Sequence, residues 1–425
     1  MDVLVLGSGA REHALAWRLA RDEGAGRVRI APGNGGTPAV AETVTELNIL
    51  DPAAVARHAS RERYDLVVIG PEAPLAAGVA DALRTVSIPV FGPDRAAARL
   101  EWSKAYAKEQ MLRAGVATAN GATFVEVDAA LAHLRAQDQP PVVKADWLAA
   151  GKGVVVPDSI DEAEAAVRSL LDGAAPGSQL VLEERLSGRE VSVFALVSGE
   201  AVVPLAAACD YKRLQDGDIG PNTGGMGAYS PIPWFGARDL EAALAAVFEP
   251  IAWRMARDGT PYRGVLYAGL MITSDGPMVL EFNARFGDPE AQVVLPLLDG
   301  QLGDALLGSA IGDGGLMEGA LAVRREAAVG VVIASEGYPD QPLTGRSIEG
   351  AEPAAAGDDG PQLCFHAATA TASGGYVATG GRVITLVGLG DDLATAHDQA
   401  YRAVSGCTLE GEQHRTDIGL REVAP

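Results

Sequence analysis

The first hundred residues repeat one pattern: an apolar run ending in glycine or proline, then a segment with helical spacing. "VLVL" reaches Gly7 and Gly9 and passes into "REHALAWRLARD". "DLVVIG" (Asp65–Gly70) reaches "PEAPL" and another helix, and "IPVFGP" follows. Strands this apolar are buried on both faces, which a parallel sheet covered by helices provides. Sheets of that kind hold ligands at the carboxyl ends of their strands. The loops "GSGARE", "APGNGG" and "GPEAPL" should therefore converge on one edge.

The remaining chain is organised differently. A helix from about Ser103 to Ala114 leads to short strands in "PPVVKAD", "GVVVP" and "QLVLEERL". Between the last two lies a helix opened by the S-x-x-E capping pattern of Ser159 and Glu162. "VSVFALV" and "AVVPLA" read as a hairpin through Ser198-Gly199-Glu200, and "GVLYAGLMI" and "PMVLEFN" as another through "TSDG". A long amphipathic helix is expected over 237–257. Beyond 325, the strands "AVGVVIAS" and "RVITLVGLG" flank "EGAEPAAAGDDG", which reads as a surface loop. At 425 residues, two to four domains are expected.

Composition narrows the partners. Acidic residues outnumber basic ones to a net charge of −22, a surface that repels nucleic acid and anionic membranes. An anionic ligand then needs local cations. The three cysteines, Cys209, Cys364 and Cys407, have no metal-ligand spacing, as expected of a reduced cytoplasmic protein. "MDVLVLGSG" lacks a basic segment before its short apolar run, so no signal peptide is expected, and no run reaches membrane-spanning length.

"GSGARE" is only G-x-G-x-x-E, and the following strand "VRIAPGN" lacks the acidic residue that binds an adenosine ribose. A nicotinamide cofactor is therefore not expected. The helix that begins after Gly9 can still hold an anion with Arg11, or the turn is simply tight and empty. "VKADWLAAGKGV" (Val143–Val154) carries Lys144 on a strand and Lys152 in a loop of small residues, suited to cover phosphates as a lid. It is not a Walker A loop. "LVLEERLSGRE" offers Glu183 and Glu190, the latter as a ribose acceptor or as part of a solvated charge cluster. In "MVLEFNARFGDPEAQ", strand alternation puts Val279, Glu281 and Asn283 on one face. Two oxygen-bearing side chains there suit Mg²⁺ with its phosphate and water partners, and Arg285 follows to neutralise a phosphoryl group. The alternative is a carboxylate buried for structure and paired with Arg285. In "CDYKR", Asp210 is placed to orient an amine and Lys212 or Arg213 to meet an anion, unless this is only a surface turn.

In order, these strings, with "SKAYAK", "GPNTGGMGAYSP", "RFGDPEAQVVLP" and "ASEGYP", resemble the glycinamide ribonucleotide synthetases, ATP-grasp enzymes of purine biosynthesis, over nearly the whole chain. The resemblance implies an α/β and α+β multidomain fold. Its parts are a pre-ATP-grasp parallel-sheet domain at 1–102 and a two-lobed ATP-grasp unit at 103–324, with a lid-bearing lobe at about 121–188. A small α+β domain at 325–425 completes it. It further implies an ATP-dependent ligase that joins glycine to phosphoribosylamine through an acyl phosphate, using ATP and Mg²⁺, with Mn²⁺ as an acceptable substitute. Small-molecule substrates and a monomer go with it. Carried over by position, Lys104, Lys144, Gly151, Lys152 and Gly153 would contact ATP phosphates, Glu183 and Leu186 would flank adenine, and Glu190 would bind ribose. Glu281 and Asn283 would hold the metal. Asp210, Lys212, Arg285 and the 222–227 loop with Asn222, Gly224 and Gly225 would border glycine and the acceptor. Gly9, Arg11, Glu12, Asn34 and Glu72 would face phosphoribosylamine. Arg285, Lys144 and Asp210 would carry catalysis. Three positions depart from the family: Trp102 and Trp147 replace glycine, and Tyr211 replaces histidine. Should the three meet in one pocket, the acceptor site would be reshaped. The alternative is then a specialised ligase joining another amino acid or amine.

Overall fold

The computed structural model describes residues 1–147, 153–172, 174–175 and 177–423. The N-terminal repetition forms a five-stranded sheet in the order Glu42–Thr43, Val28–Pro32, Val3–Gly7, Leu66–Ile69, Val90–Phe91, with every pairing parallel. The chain winds outward from Val3–Gly7 in one direction and then returns to its other side. The switch therefore lies between Val3–Gly7 and Leu66–Ile69, and the loops after those two strands share its crevice.

The region expected as a lid-bearing lobe at about 121–188 holds a four-stranded sheet of Gly121–Phe124, Leu180–Glu183, Val142–Ala145 and Val154–Val155. Two helices, Val127–Arg135 and Ile160–Leu171, cover it. Leu131, Leu134, Val143, Val167 and Leu182 give it a core of its own. Ser159 caps the second helix by accepting from Glu162 N at 3.2 Å, while the Glu162 carboxylate bonds Asp158 N at 2.8 Å.

The central sheet has eight strands, in the order Gly276–Asn283, Arg263–Thr273, Arg189–Ser198, Ala201–Asp210, Gly227–Ser230, Ala327–Ala334, Arg382–Gly390, Gln362–His366. Strands from beyond 325 thus continue the same sheet through Gly227–Ser230, which ties the C-terminal segment rigidly to the central unit. Both expected hairpins form, with Ser198 opposite Ala201 and Thr273 opposite Gly276.

Two expectations need correction and a third is refined. The 237–257 helix is continuous but widens to π geometry over Leu244–Phe248. Pro250, one turn further on, has no N–H to donate and a ring that crowds the carbonyl four residues back. Alternation in Gly276–Asn283 is broken by a bulge, since Gly269 pairs Glu281 whereas Leu270 pairs Val279. Val279 joins Phe282 in the sealed core, and only Glu281 and Asn283 keep the expected common face. Finally, "EGAEPAAAGDDG" is the expected surface loop, exposed at Glu352 and 357–360, but it is tied down at several points. Trp17 Nε1 donates to Ala355 O at 3.0 Å, Arg21 binds Ala356 O, Asp358 O and Asp359, and Ala351 and Ala354 are buried.

Candidate active site

Glycine builds the N-terminal edge of the site. A Cβ on Gly7 or Gly70 would overlap the side chain of Glu12, so these two positions leave room for a buried carboxylate between the neighbouring loops. Glu12 accepts from Gly9 N at 2.7 Å and Arg11 Nε at 2.5 Å. The Gly9 amide expected to hold an outside anion is therefore taken by the chain's own carboxylate. Arg11 turns away to Phe286 O at 3.1 Å and joins this edge to the strand-end loop. Asn34 donates to Ser8 O (2.9 Å) and His366 O (2.7 Å) and accepts from Gly36 N (2.9 Å) and Thr37 N (3.2 Å). Its amide has no bonding capacity left for a ligand, and its structural role is to hold three loops together.

Arg285 sits at the meeting of the N-terminal domain and the central sheet. It pairs Glu101 at 3.0 Å, approaches Glu72 at 3.6 Å and donates to Phe286 O at 3.1 Å. Burial alone would deprotonate it more easily, but Glu101, Glu72 and Glu290 outweigh that and hold it firmly cationic. Burial raises the Glu101 carboxyl above its usual value despite that partner. Glu72 stays low because Arg285 and Arg11 overcome its burial.

Glu281 and Asn283 project from the same strand, half-buried, and neither side chain has a hydrogen bond or ion pair with a described residue. Burial would raise the Glu281 carboxyl, yet Lys212, Lys104, Lys144 and Arg285 around it hold it below the ordinary range. An ionised carboxylate beside a free amide oxygen is what a hard divalent cation with water and phosphate ligands needs from a protein. No larger acidic or histidine cage occurs among the described residues. The donor set thus fits Mg²⁺ held partly by a phosphorylated substrate. Lys144 is buried, paired with Glu183 at 2.5 Å and donating to Leu280 O at 2.9 Å, the carbonyl at the bulge. Glu183 also pairs Lys108 at 2.9 Å, so its carboxylate serves two lysines rather than an exposed purine edge. Lys104, at the start of the helix capped by Ser103, has no described partner.

Opposite, Lys212 reaches Glu190 at 3.1 Å and lies 4.0 Å from Asp210. Burial pushes the Asp210 carboxyl up to about 7 against the pull of Lys212, with Glu290, Glu190 and Glu281 adding to the rise. Glu290 is buried and accepts from Ser192 Oγ at 3.1 Å, which in turn contacts Tyr267 OH at 2.9 Å. Asn222 reaches Val154 O on the lid lobe at 3.5 Å. Gly225 has φ +110°, and a Cβ there would overlap Pro289, so the loop lies directly on the turn after Arg285. Arg382 donates to Gly224 O (2.6 Å) and Asp288 O (2.7 Å) and pairs the Asp288 carboxylate at 3.2 Å. Tyr338 OH accepts from Gly224 N at 2.9 Å.

Lys104, Lys144, Asp210, Lys212, Glu281 and Arg285 are thus one electrostatic cluster, with Glu72 and Arg11 at its N-terminal side. Leu186 is half-buried and Gly153 is buried. Gly151 and Lys152 lie outside the described residues. Sequence reasoning missed Glu101, Lys108, Glu290 and Arg382. Lys108, Asp288 and Glu290 sat inside quoted motifs without a role, and Arg382 opened a strand read only for its apolar run, whereas nothing in the sequence gave Glu101 a role. Trp147 packs on the lid lobe's own core and Trp102 against the main core. The Tyr211 ring lies under Arg415 at 4.5 Å with its hydroxyl accepting from Gly419 N at 2.9 Å.

Comparison with known proteins covers the chain end to end. Residues 1–101 match the phosphoribosylglycinamide synthetase N domain, 102–291 its ATP-grasp (A) domain and 328–421 its C domain. A phosphoribosylamine–glycine ligase of Streptomyces coelicolor is 50% identical over 99% of both chains, and that of Mycobacterium leprae 46% identical over 99% and 98%. The crystal structure of phosphoribosylamine–glycine ligase from Thermotoga maritima superposes with a TM-score of 0.82 at 34% identity, covering 98% of this chain and 100% of that one. A biotin carboxylase domain from Hydrogenobacter thermophilus shares the fold at 16% identity, with a TM-score of 0.71 over 97% and 91% of the two chains. The chain belongs to the phosphoribosylglycinamide synthetase family, with an ATP-grasp domain between its N and C domains.

Proposed function

We propose that this protein joins glycine to phosphoribosylamine at the expense of ATP, giving glycinamide ribonucleotide, ADP and phosphate in purine biosynthesis. The observation that carries the reading is the Glu281–Asn283 pair, without a hydrogen bond or ion pair among the described residues and ringed by Lys104, Lys144, Lys212 and Arg285, in a chain matched along its length by ligases of that name. A carboxylate is a poor acyl donor until phosphorylated. Glycine's carboxylate oxygen attacks the terminal phosphorus of ATP as the bond to ADP breaks. The ribosylamine nitrogen then attacks the acyl carbon, phosphate leaves, and the nitrogen loses its proton. Lys104 and Lys144 bind the phosphates, and Arg285 neutralises the charge on the group in flight. Glu281 and Asn283 would hold Mg²⁺, which would supply positive charge against the phosphates. Asp210 and Lys212 orient the amine and the glycine carboxylate beside the 222–227 loop, while Glu72 and Arg11 line the ribosylamine side. Glu190 and Leu186 border the nucleoside, and the 149–153 segment closes over the phosphates to keep water from the acyl phosphate. Mn²⁺, which takes the same oxygen donors, is expected to substitute for Mg²⁺. A cytoplasmic monomer without nucleic-acid affinity completes the reading, in keeping with the −22 net charge.

A substrate panel tests it. ADP release should require glycine and phosphoribosylamine together. Turnover with another amino acid or amine and none with this pair would overturn the assignment.

A further inference from the structure

Arg382 belongs to the last third of the chain, yet its guanidinium ends among the loops of the site. Nη1 donates to Gly224 O at 2.6 Å, Gly225 O at 3.4 Å and Asp288 O at 2.7 Å, and Nη2 pairs the Asp288 carboxylate at 3.2 Å. One planar cation thus ties two carbonyls of the glycine-rich loop to both the backbone and the side chain of the turn after Arg285. The geometry around it leaves little slack. A Cβ on Gly224 would stand 3.0 Å from the guanidinium carbon, and one on Gly225 would overlap Pro289. On the other side of the loop, Tyr338 OH accepts from Gly224 N at 2.9 Å, and a Cβ on Gly381 would overlap the Tyr338 ring. A loop with three glycines in four residues (Gly224, Gly225, Gly227) has a large conformational entropy, and in that stretch only the buried Met226 offers a side chain with which to anchor it. Its ends are held by Asn222 on Val154 O, by Thr223 on Lys212 O and Gly225 N, and by Met226, whose N donates to Tyr211 O and whose O accepts from Val332 N. Between those ends, the polar groups of Gly224 are met by these two C-terminal residues.

We infer that Arg382 is a positioning residue: it holds the 222–227 loop in register with the Arg285–Asp288 turn, so that the C-terminal segment sets the geometry of the glycine and ribosylamine sites. The inference rests on the reading that this loop borders those two substrates. It assigns no contact with ATP to Arg382, which lies on the side of the loop facing the C-terminal strands.

The test compares Arg382→Ala, Arg382→Lys and Tyr338→Phe with the wild-type enzyme, measuring kcat, the separate KM values for glycine, phosphoribosylamine and ATP, and amide hydrogen exchange over 222–227. Wild-type turnover with the pair establishes the underlying reaction independently of the variants. Arg382→Ala should raise KM for glycine or ribosylamine about tenfold or more and leave the ATP value within about twofold. Arg382→Lys should recover part of that loss, and Tyr338→Phe should show a smaller effect in the same direction. The loop amides should exchange faster in Arg382→Ala without ligands present. Should Arg382→Ala fold poorly, Arg382→Lys and Tyr338→Phe carry the same comparison. Unchanged KM values and exchange with only a lower Tm would overturn the inference, as would an ATP KM that rises in parallel with the others.

Discussion

At the scale of single residues, charge placement decides what the cleft can do. Glu281 stays ionised because four cations face it, and it has no hydrogen bond or ion pair among the described residues. Glu281→Gln keeps the shape and removes the charge, so ADP formation should fall by about 10² or more, checked by coupled ADP assay at saturating Mg²⁺. Asp210 is the opposite case, since burial raises its carboxyl to about 7. A carboxyl whose folded value lies above its unfolded value of 3.8 contributes stability at low pH and loses it as pH rises towards 7. Asp210→Asn should therefore match the wild type in Tm near pH 4 and exceed it by a few degrees above pH about 7, read by thermal melts across pH. Its activity should be lost throughout. Wild-type activity, needing the charged form, should fall as the medium is acidified through the same region.

At the scale of elements, regular periodicity was legible and its interruptions were not. The parallel strands, both hairpins and the Ser159 cap follow directly from apolar runs, turn residues and spacing. The bulge at Leu280 does not, because alternation scores the same whether or not one residue is left unpaired. Its effect is local but chemical: it moves Val279 into the core and turns the Leu280 carbonyl to Lys144. The π turn ahead of Pro250 was hidden for a similar reason, since apolar spacing continues through it. The lysines and acids of the site were readable from their motifs, but Glu101 and Arg382 act through tertiary contacts that no local pattern encodes. Gly225 shows how strict such contacts become. With φ at +110° and Pro289 against its Cα, Gly225→Ala should destabilise the fold by about 1–3 kcal/mol, measurable by urea unfolding.

At the scale of the whole molecule, the N-terminal domain is fastened to the C-terminal segment as well as to the central sheet. His13 Nδ1 accepts from His366 N at 2.9 Å, and the His366 ring bonds Thr369 Oγ1 at 3.0 Å and Ala351 O at 2.8 Å. Burial, with a smaller push from His366, holds the His13 imidazole down at about 3, and burial lowers His366 as well. Histidines lowered in the folded state contribute stability that is complete above their unfolded value of 6.5 and is lost as pH falls below it. Stability should thus drop by about 2 kcal/mol for His13 between pH about 6.5 and 5, with His366 acting in the same direction, and His13→Asn should flatten that slope in urea unfolding at each pH. This fastening explains why one rigid frame can present loops from three parts of the chain to a single reaction. The most direct test of that reaction follows the oxygen of glycine. With glycine carrying isotopically heavy oxygen in its carboxylate, activation as an acyl phosphate predicts one heavy oxygen in the phosphate released at each turnover, detected by phosphorus NMR. Phosphate free of the label, with amide still formed, would contradict the account.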